Sequence, residues 1–254
     1  MEYKNNFQNK IYDDLVSPSA KSVGNLLSLL PRTVNVWCSK WEKWITNGEE
    51  SIRLTKEAIT EKISKIPEEK LIEPDAYVIV PAIHQLSYCY DSDELREMYA
   101  NLIVASMYTE SKYEVHPSFV TIISQLSPLD ALALKEIYKL KGVISTICLR
   151  TVSETLKDGI WELLINYSID LREVYKSPNI MCISFDNLER LGIIKIRYDQ
   201  RMINEDDYKR YETDRFYIQK LKEIESFERI HTNVQRGLIE LTSFGEKFSE
   251  ICCV

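Results

Sequence analysis

Apolar residues recur at helical spacing through most of the first 170 positions, and the punctuation between them is helical too. Ser17-Pro18 offers an N-cap and a first helical residue ahead of Val23, Leu26, Leu27 and Leu30, which share one face. Pro31 ends that helix and starts the next, where Val34, Trp37, Trp41 and Trp44 form a stripe before Gly48. From Glu49 to Ile66 a charged helix keeps Ile52, Ile59, Ile63 and Ile66 on one side, and Pro67 closes it. Glu73-Pro74 to Pro81 reads as a connector or the start of another helix. Asp91-x-x-Glu94 has the form of a capping box, ahead of Leu95, Met98, Tyr99, Leu102, Ile103 and Met107. His116-Pro117 opens a segment that runs through Leu126. Ser127-Pro128-Leu129-Asp130 is a second start signal, leading into Leu134 and Ile137 with Gly142 as the stop. Thr151-x-x-Glu154 predicts a further long helix carrying Leu156, Ile160, Leu163, Leu164 and Tyr167.

The pattern changes near residue 183. Ser184 or Asp186 caps a short helix holding Leu188 and Leu191, and Gly192 ends it. Residues 193–198 alternate and are β-branched, so they read as a strand. A polar stretch follows, then a helical stripe of Tyr217, Leu221, Ile224 and Phe227. Residues 237–241 form a second short strand, and Thr242 caps a last helix with Phe244, Phe248 and Ile251 inward. Helix, glycine, strand, excursion, strand, helix is the order of a winged-helix tail. The expected fold is therefore mainly α: a helical domain over residues 1–125, then a winged-helix-like domain over 126–254. The latter has a two-stranded antiparallel wing and a helix inserted between the wing strands, because residues 199–236 far exceed a hairpin loop. Only 7 Gly and 8 Pro in 254 residues agree with long helices rather than many tight turns.

Charge and cysteines narrow the setting. The net charge is -7, where a protein built to coat nucleic acid would be basic. No apolar run approaches the ~20 residues that cross a bilayer, and the polar start Met1-Glu2-Tyr3-Lys4 leads to no signal core. None of the 6 cysteines has C-x-x-C spacing, which predicts reduced thiols in a cytoplasmic protein rather than a zinc or redox site.

The glycines are too scattered for G-x-G-x-x-G or a P-loop. The three histidines, His84, His116 and His231, form no H-E-x-x-H, and no R-x-x-x-x-H or G-x-S-x-G motif occurs. Glu68-Glu69-Lys70 has the letters of a nuclease E-x-K but follows a helix, where it reads as a polar turn. No cofactor or metal is expected, and no catalytic residue stands out. His116 is read two ways: a proton-transfer group, or a cap for the helix that follows. Trp37, Trp41 and Trp44, flanked by Arg32, Lys40 and Lys43, suit a helical core, a partner-binding face or a membrane-surface helix. In a winged helix, residues 186–191 would be the recognition helix, presenting Arg190, with Lys195 and Arg197 on the wing. Glu189 and the acidic excursion oppose a DNA phosphate backbone, so DNA reading is the second hypothesis.

Three stretches carry a family resemblance. They are 93–103 (DELREMYANLI), Val115-His116-Pro117-Ser118-Phe119-Val120, and Gln125-Leu126-Ser127-Pro128-Leu129-Asp130-Ala131. Together they resemble the core of the abortive-infection alpha family of bacteria. The start, Ile11-Tyr12-Asp13-Asp14-Leu15, and the endings Leu188-Glu189-Arg190-Leu191-Gly192-Ile193 and Leu241-Thr242-Ser243-Phe244-Gly245 are similar to its flanks. The resemblance implies defence against bacteriophage and brings no catalytic residue with it. The expected mode of action is contact with a phage or host protein, with homo-oligomerisation left open.

Overall fold

A computed structural model describes residues 49–86, 88–89, 92–153, 160–224 and 230–254. Trp37, Trp41, Trp44 and the two helices read before residue 48 lie outside them. The chain divides into two compact units, one running up to Pro128 and taking in Glu250–Val254, the other Leu129–Ser249.

In the first unit, α1 (Glu49–Ile63), α2 (Ala76–Leu86) and α4 (Ser118–Ile123) all pack on α3 (Asp93–Ser106). Helix α3 is buried on several sides, through Met98, Tyr99, Ala100, Leu102 and Ile103. That is the pattern of a central helix rather than a surface one. Its N-cap is Ser92, whose hydroxyl accepts the Leu95 N–H at 3.2 Å, one residue after the Asp91 read from the sequence. Pro81 sits inside α2 instead of ending it. Val78, Ile79, Ala82, Ile83 and Leu86 are all buried there, and that burial outweighs the one backbone hydrogen bond a proline removes.

The second unit overturns the winged-helix expectation. Its centre is a four-stranded antiparallel sheet in the order β2-β1-β4-β3, built from β1 (Val143–Ser153), β2 (Ile160–Tyr167), β3 (Ile194–Arg197) and β4 (Ile230–Leu241). The fold is mixed α and β. The two strands read as a wing do pair, Ile194 with Leu241 through Arg197 with Leu238. Yet β4 begins at Ile230 and has a second, longer partner in β1, from Val143 opposite Glu240 to Ser153 opposite Ile230. The predicted long helix after Thr151 is instead the β1–β2 hairpin. Val143, Ile144, Thr146, Ile147, Thr151 and Val152 are β-branched and favour the pleated state. Thr151 itself is buried between Trp161 and Thr232 in the ladder, so it caps nothing.

Helices α5 (Pro128–Lys139), α6 (Pro178–Arg190), α7 (Asp206–Lys209), α8 (Arg215–Ile224) and α9 (Ser243–Cys252) complete the described elements, the last residues of α9 counting with the first unit. Helix α6 starts two turns earlier than its sequence reading, at Pro178 after Ser177, and Ser184 is buried in its middle. It ends in a Schellman arrangement: the Gly192 N–H donates to Glu189 O and the Ile193 N–H to Leu188 O. Gly192 holds φ +73°, and Leu188 and Ile193 bury the accompanying apolar contact.

Helix α5 ends the same way, with Lys141 N–H on Tyr138 O and Gly142 N–H on Ile137 O. Here the left-handed position falls on Lys141 at φ +64° as well as on Gly142. A non-glycine residue pays a steric penalty of about 1 kcal/mol there. Lys141→Gly is expected to raise the urea midpoint slightly, by up to about 0.5 kcal/mol of stability after the extra chain entropy of glycine is counted. A lower midpoint would mean that contacts of the lysine side chain outweigh its backbone strain.

Candidate functional site

Two polar networks occupy the interior of the second unit. In the first, Asp130 from the start of α5 accepts from the Ser184 hydroxyl and, at 3.3 Å, from Asn187 Nδ2, both on α6. The Tyr175 hydroxyl meets Ser184 Oγ at 2.5 Å. All but the half-buried Asn187 are buried, so the network joins α5 to α6 largely out of solvent. In the second, Asp214 is wholly buried and its Oδ1 accepts three bonds. They come from Tyr167 OH at 3.0 Å, Phe216 N at 2.9 Å and Tyr217 N at 3.1 Å. Asp214 thus caps α8 and holds a buried phenol. Its Oδ2 makes no hydrogen bond and faces the Arg172 guanidinium at 3.8 Å. Burial, then Asp214, pushes the Tyr167 phenol far up, so it stays a donor. Nearby, Ser145 Oγ donates to Asp170 Oδ2 at 3.1 Å and meets Tyr211 OH at 3.0 Å.

The nearest approach to an activated nucleophile is Cys148. Arg150 Nε donates to its sulfur at 3.2 Å, and Glu162 Oε1 lies 3.8 Å away. The thiol is buried, and burial outweighs Arg150 and raises its pKa, which disfavours the thiolate. Cys89, Cys182, Cys252 and Cys253 are free thiols too. Among the described residues no group of three or more His, Cys, Asp or Glu could hold a metal ion, and no helix is long and apolar enough to cross a membrane.

The residues singled out from the sequence fall in separate places. His116 is exposed ahead of α4, with Nδ1 2.6 Å from Ser118 Oγ and accepting the Ser118 N–H at 3.2 Å. That geometry is a local cap. Arg190 donates to Asn187 Oδ1 at 2.8 Å. Arg197 pairs with Asp199 at 2.8 Å and Glu240 at 3.4 Å, while Lys195 is exposed on β3. Arg190, Lys195 and Arg197 belong to one connection, α6 into β3, pinned where Glu189 Oε1 accepts the Ile196 N–H at 2.8 Å.

A surface that sequence reading missed lies on the first unit. Residues 70–72 pair with 107–109: Ile72 N–H donates to Met107 O at 2.8 Å and Thr109 N–H to Lys70 O at 3.0 Å. Tyr77 and Tyr113, 61% and 91% exposed, lie on the two segments so tied, and Asp75 links those segments by meeting both Tyr77 and Lys112. The lysines there are already engaged: Lys70 with Glu110 at 2.5 Å, Lys112 with Asp75 at 3.2 Å and with Glu73 O at 2.8 Å. Tyr77 donates to Asp75 at 3.1 Å, and Lys70 lies over the Tyr108 ring at 5.9 Å. Exposed tyrosines over a fixed polar base are the composition of contact surfaces. Beside it, a cavity of about 410 Å³ runs along Tyr108, Ser111 and Glu114. Lys62 and Lys65 line it along with Glu114 and Glu250, so its charge selects no ligand.

The two ending motifs of the family resemblance, 188–193 and 241–245, also meet in space. Thr242 Oγ1 donates to Gly192 O at 2.6 Å and accepts the Gly245 N–H at 2.9 Å. A Cβ on Gly245 would sit 1.9 Å from Ile193 O. The glycine of 241–245 is therefore required by the backbone of 188–193. Comparison of the sequence with family profiles gives a match over residues 47–252 to abortive infection alpha. The chain belongs to this abortive-infection family. No curated protein matches it significantly. Among solved structures it is similar to an uncharacterized protein from the marine bacterium Alcanivorax borkumensis SK2, at 12% identity and a TM-score of 0.35. That likeness covers 57% of this chain and 96% of the other, and nothing is transferred from it. In this abortive-infection protein, the quoted motifs thus cap helices and join α5, α6, β3 and α9. They build the fold, and Asn101 of the 93–103 stretch also lines the cavity of about 410 Å³.

Proposed function

We propose that this protein serves phage defence by abortive infection, in which an infected cell stops growing before virus is released, and that it acts by contacting another protein. Family membership over residues 47–252 carries the defence reading. The contact reading is supported by where polar chemistry lies: Asp130 with Ser184, and Asp214 Oδ1 with Tyr167, join buried elements, and the tyrosines Tyr77 and Tyr113 face solvent. DNA reading by the α6–β3 connection is disfavoured, because Arg190 and Arg197 are held by neighbouring side chains and the chain carries -7.

The test is a plaque assay in a bacterial host with and without the gene, scored with culture survival after infection at high and low phage dose. Fewer plaques, with growth arrest of infected cells, is the expected result. Unchanged plaquing across a broad phage panel would sink the defence reading.

A further inference from the structure

We infer that the tyrosine surface formed by residues 68–77 and 107–114 is a docking site for an arginine- or lysine-rich segment of another protein. The inference rests on the protein-contact reading above and names the partner's chemistry. Two independent observations carry it. First, Tyr77 and Tyr113 expose their rings although their segments are tied together by the 70–72 and 107–109 pairing and by Lys112 on Asp75 and Glu73 O. An exposed phenol ring on a rigid base offers contact area and a π face at little entropic cost. Second, the two segments carry more acidic than basic residues. The two segments contain Glu68, Glu69, Glu73, Asp75, Glu110 and Glu114 against Lys70 and Lys112, a formal balance of -4. Both lysines are held by carboxylates of the same surface. A cation arriving from outside finds exposed tyrosine rings on segments that also expose Glu68, Glu69 and Glu73, the setting of cation–π and ion-pair recognition.

The same charge excludes the other occupants. A nucleic acid or an anionic membrane brings phosphates against a negative surface. A second copy brings its own net charge of -7. A basic protein segment is the occupant whose charge complements both the surface and the whole chain.

The test uses the full chain and a fluorescein-labelled oligoarginine peptide, read by fluorescence anisotropy. Tyr77→Ser/Tyr113→Ser keeps every charge and alters only exposed side chains. It is expected to weaken binding about tenfold or more. Tyr88→Ser removes another exposed tyrosine, beyond the opposite end of α2, and should change nothing. Equal binding by the double variant and the parent would reduce the effect to bulk charge and overturn the inference. Preferential binding of single-stranded DNA or of anionic vesicles would overturn it as well. A plaque assay separates this result from the defence reading. If the parent protects and the folded double variant protects equally, the docking inference fails and the defence reading stands. If the parent gives no protection while oligoarginine binding still depends on the two tyrosines, the defence reading fails and the docking inference stands.

Discussion

Gly245→Ala is expected to destabilise the second unit by about 3 kcal/mol, although helix propensity alone points the other way. Gly245 lies in α9, where alanine is intrinsically favoured over glycine by about 1 kcal/mol. Against that gain stands a Cβ placed 1.9 Å from Ile193 O and 2.8 Å from Ile193 C. Those are backbone atoms, and Ile193 is itself held by its hydrogen bond to Leu188 O, so the obstacle cannot rotate away. The start of α9 must lift off the α6–β3 connection, loosening the Thr242 bond to Gly192 O. For a protein of this size the change corresponds to a fall of ~6–12 °C in melting temperature. Calorimetry decides it: a variant as stable as the parent would mean that α9 does not touch residues 192–193.

Asp214→Ala ranks second, at about 3 kcal/mol, from two losses of different kinds. The N-cap of α8 disappears, which costs about 1 kcal/mol. The buried Tyr167 hydroxyl loses its acceptor, which costs roughly 1–3 kcal/mol more. The ion pair adds little, because Arg172 stands 3.8 Å away and is half exposed. Asp214→Asn keeps an amide oxygen for all three donors and is expected to cost less than about 1 kcal/mol. Chemical denaturation of both variants separates the effects. If asparagine proves as damaging as alanine, the charge opposite Arg172 matters more than the hydrogen bonds.

Legibility from the sequence followed the range of the interactions involved. The starts at Ser127-Pro128 and His116-Pro117 and the stop at Gly192 were readable because each depends on backbone groups within five residues. The cap of α3 was misplaced by one position, since Asp91 and Ser92 are both good cap residues and only the fold selects Ser92. Pro81 read as a boundary because its local effect is breaking, while the burial that overrides it comes from the helix's neighbours. Thr151-x-x-Glu154 matched a capping box by spacing alone, and the β-branched run before it was the better signal. The second half of β4 was visible in its apolar alternation, whereas its first half, His231 to Arg236, is polar and becomes a strand by pairing with β1. For the candidate surface, no local pattern links Tyr77 to Tyr113. Their segments are tied by the pairing of 70–72 with 107–109 and by Asp75, which meets both Tyr77 and Lys112.

By itself the sequence determined the family, the sign of the charge and the helix punctuation, because composition and hydrogen bonds a few residues apart are local properties. Only the tertiary structure decided that residues 143–153 and 160–167 are strands rather than helix, that Gly245 lies against Ile193, and that the segments carrying Tyr77 and Tyr113 are tied together. Those outcomes depend on partners distant along the chain, Val143 opposite Glu240, Gly245 against Ile193 and 70–72 against 107–109, beyond the reach of any helical or strand period.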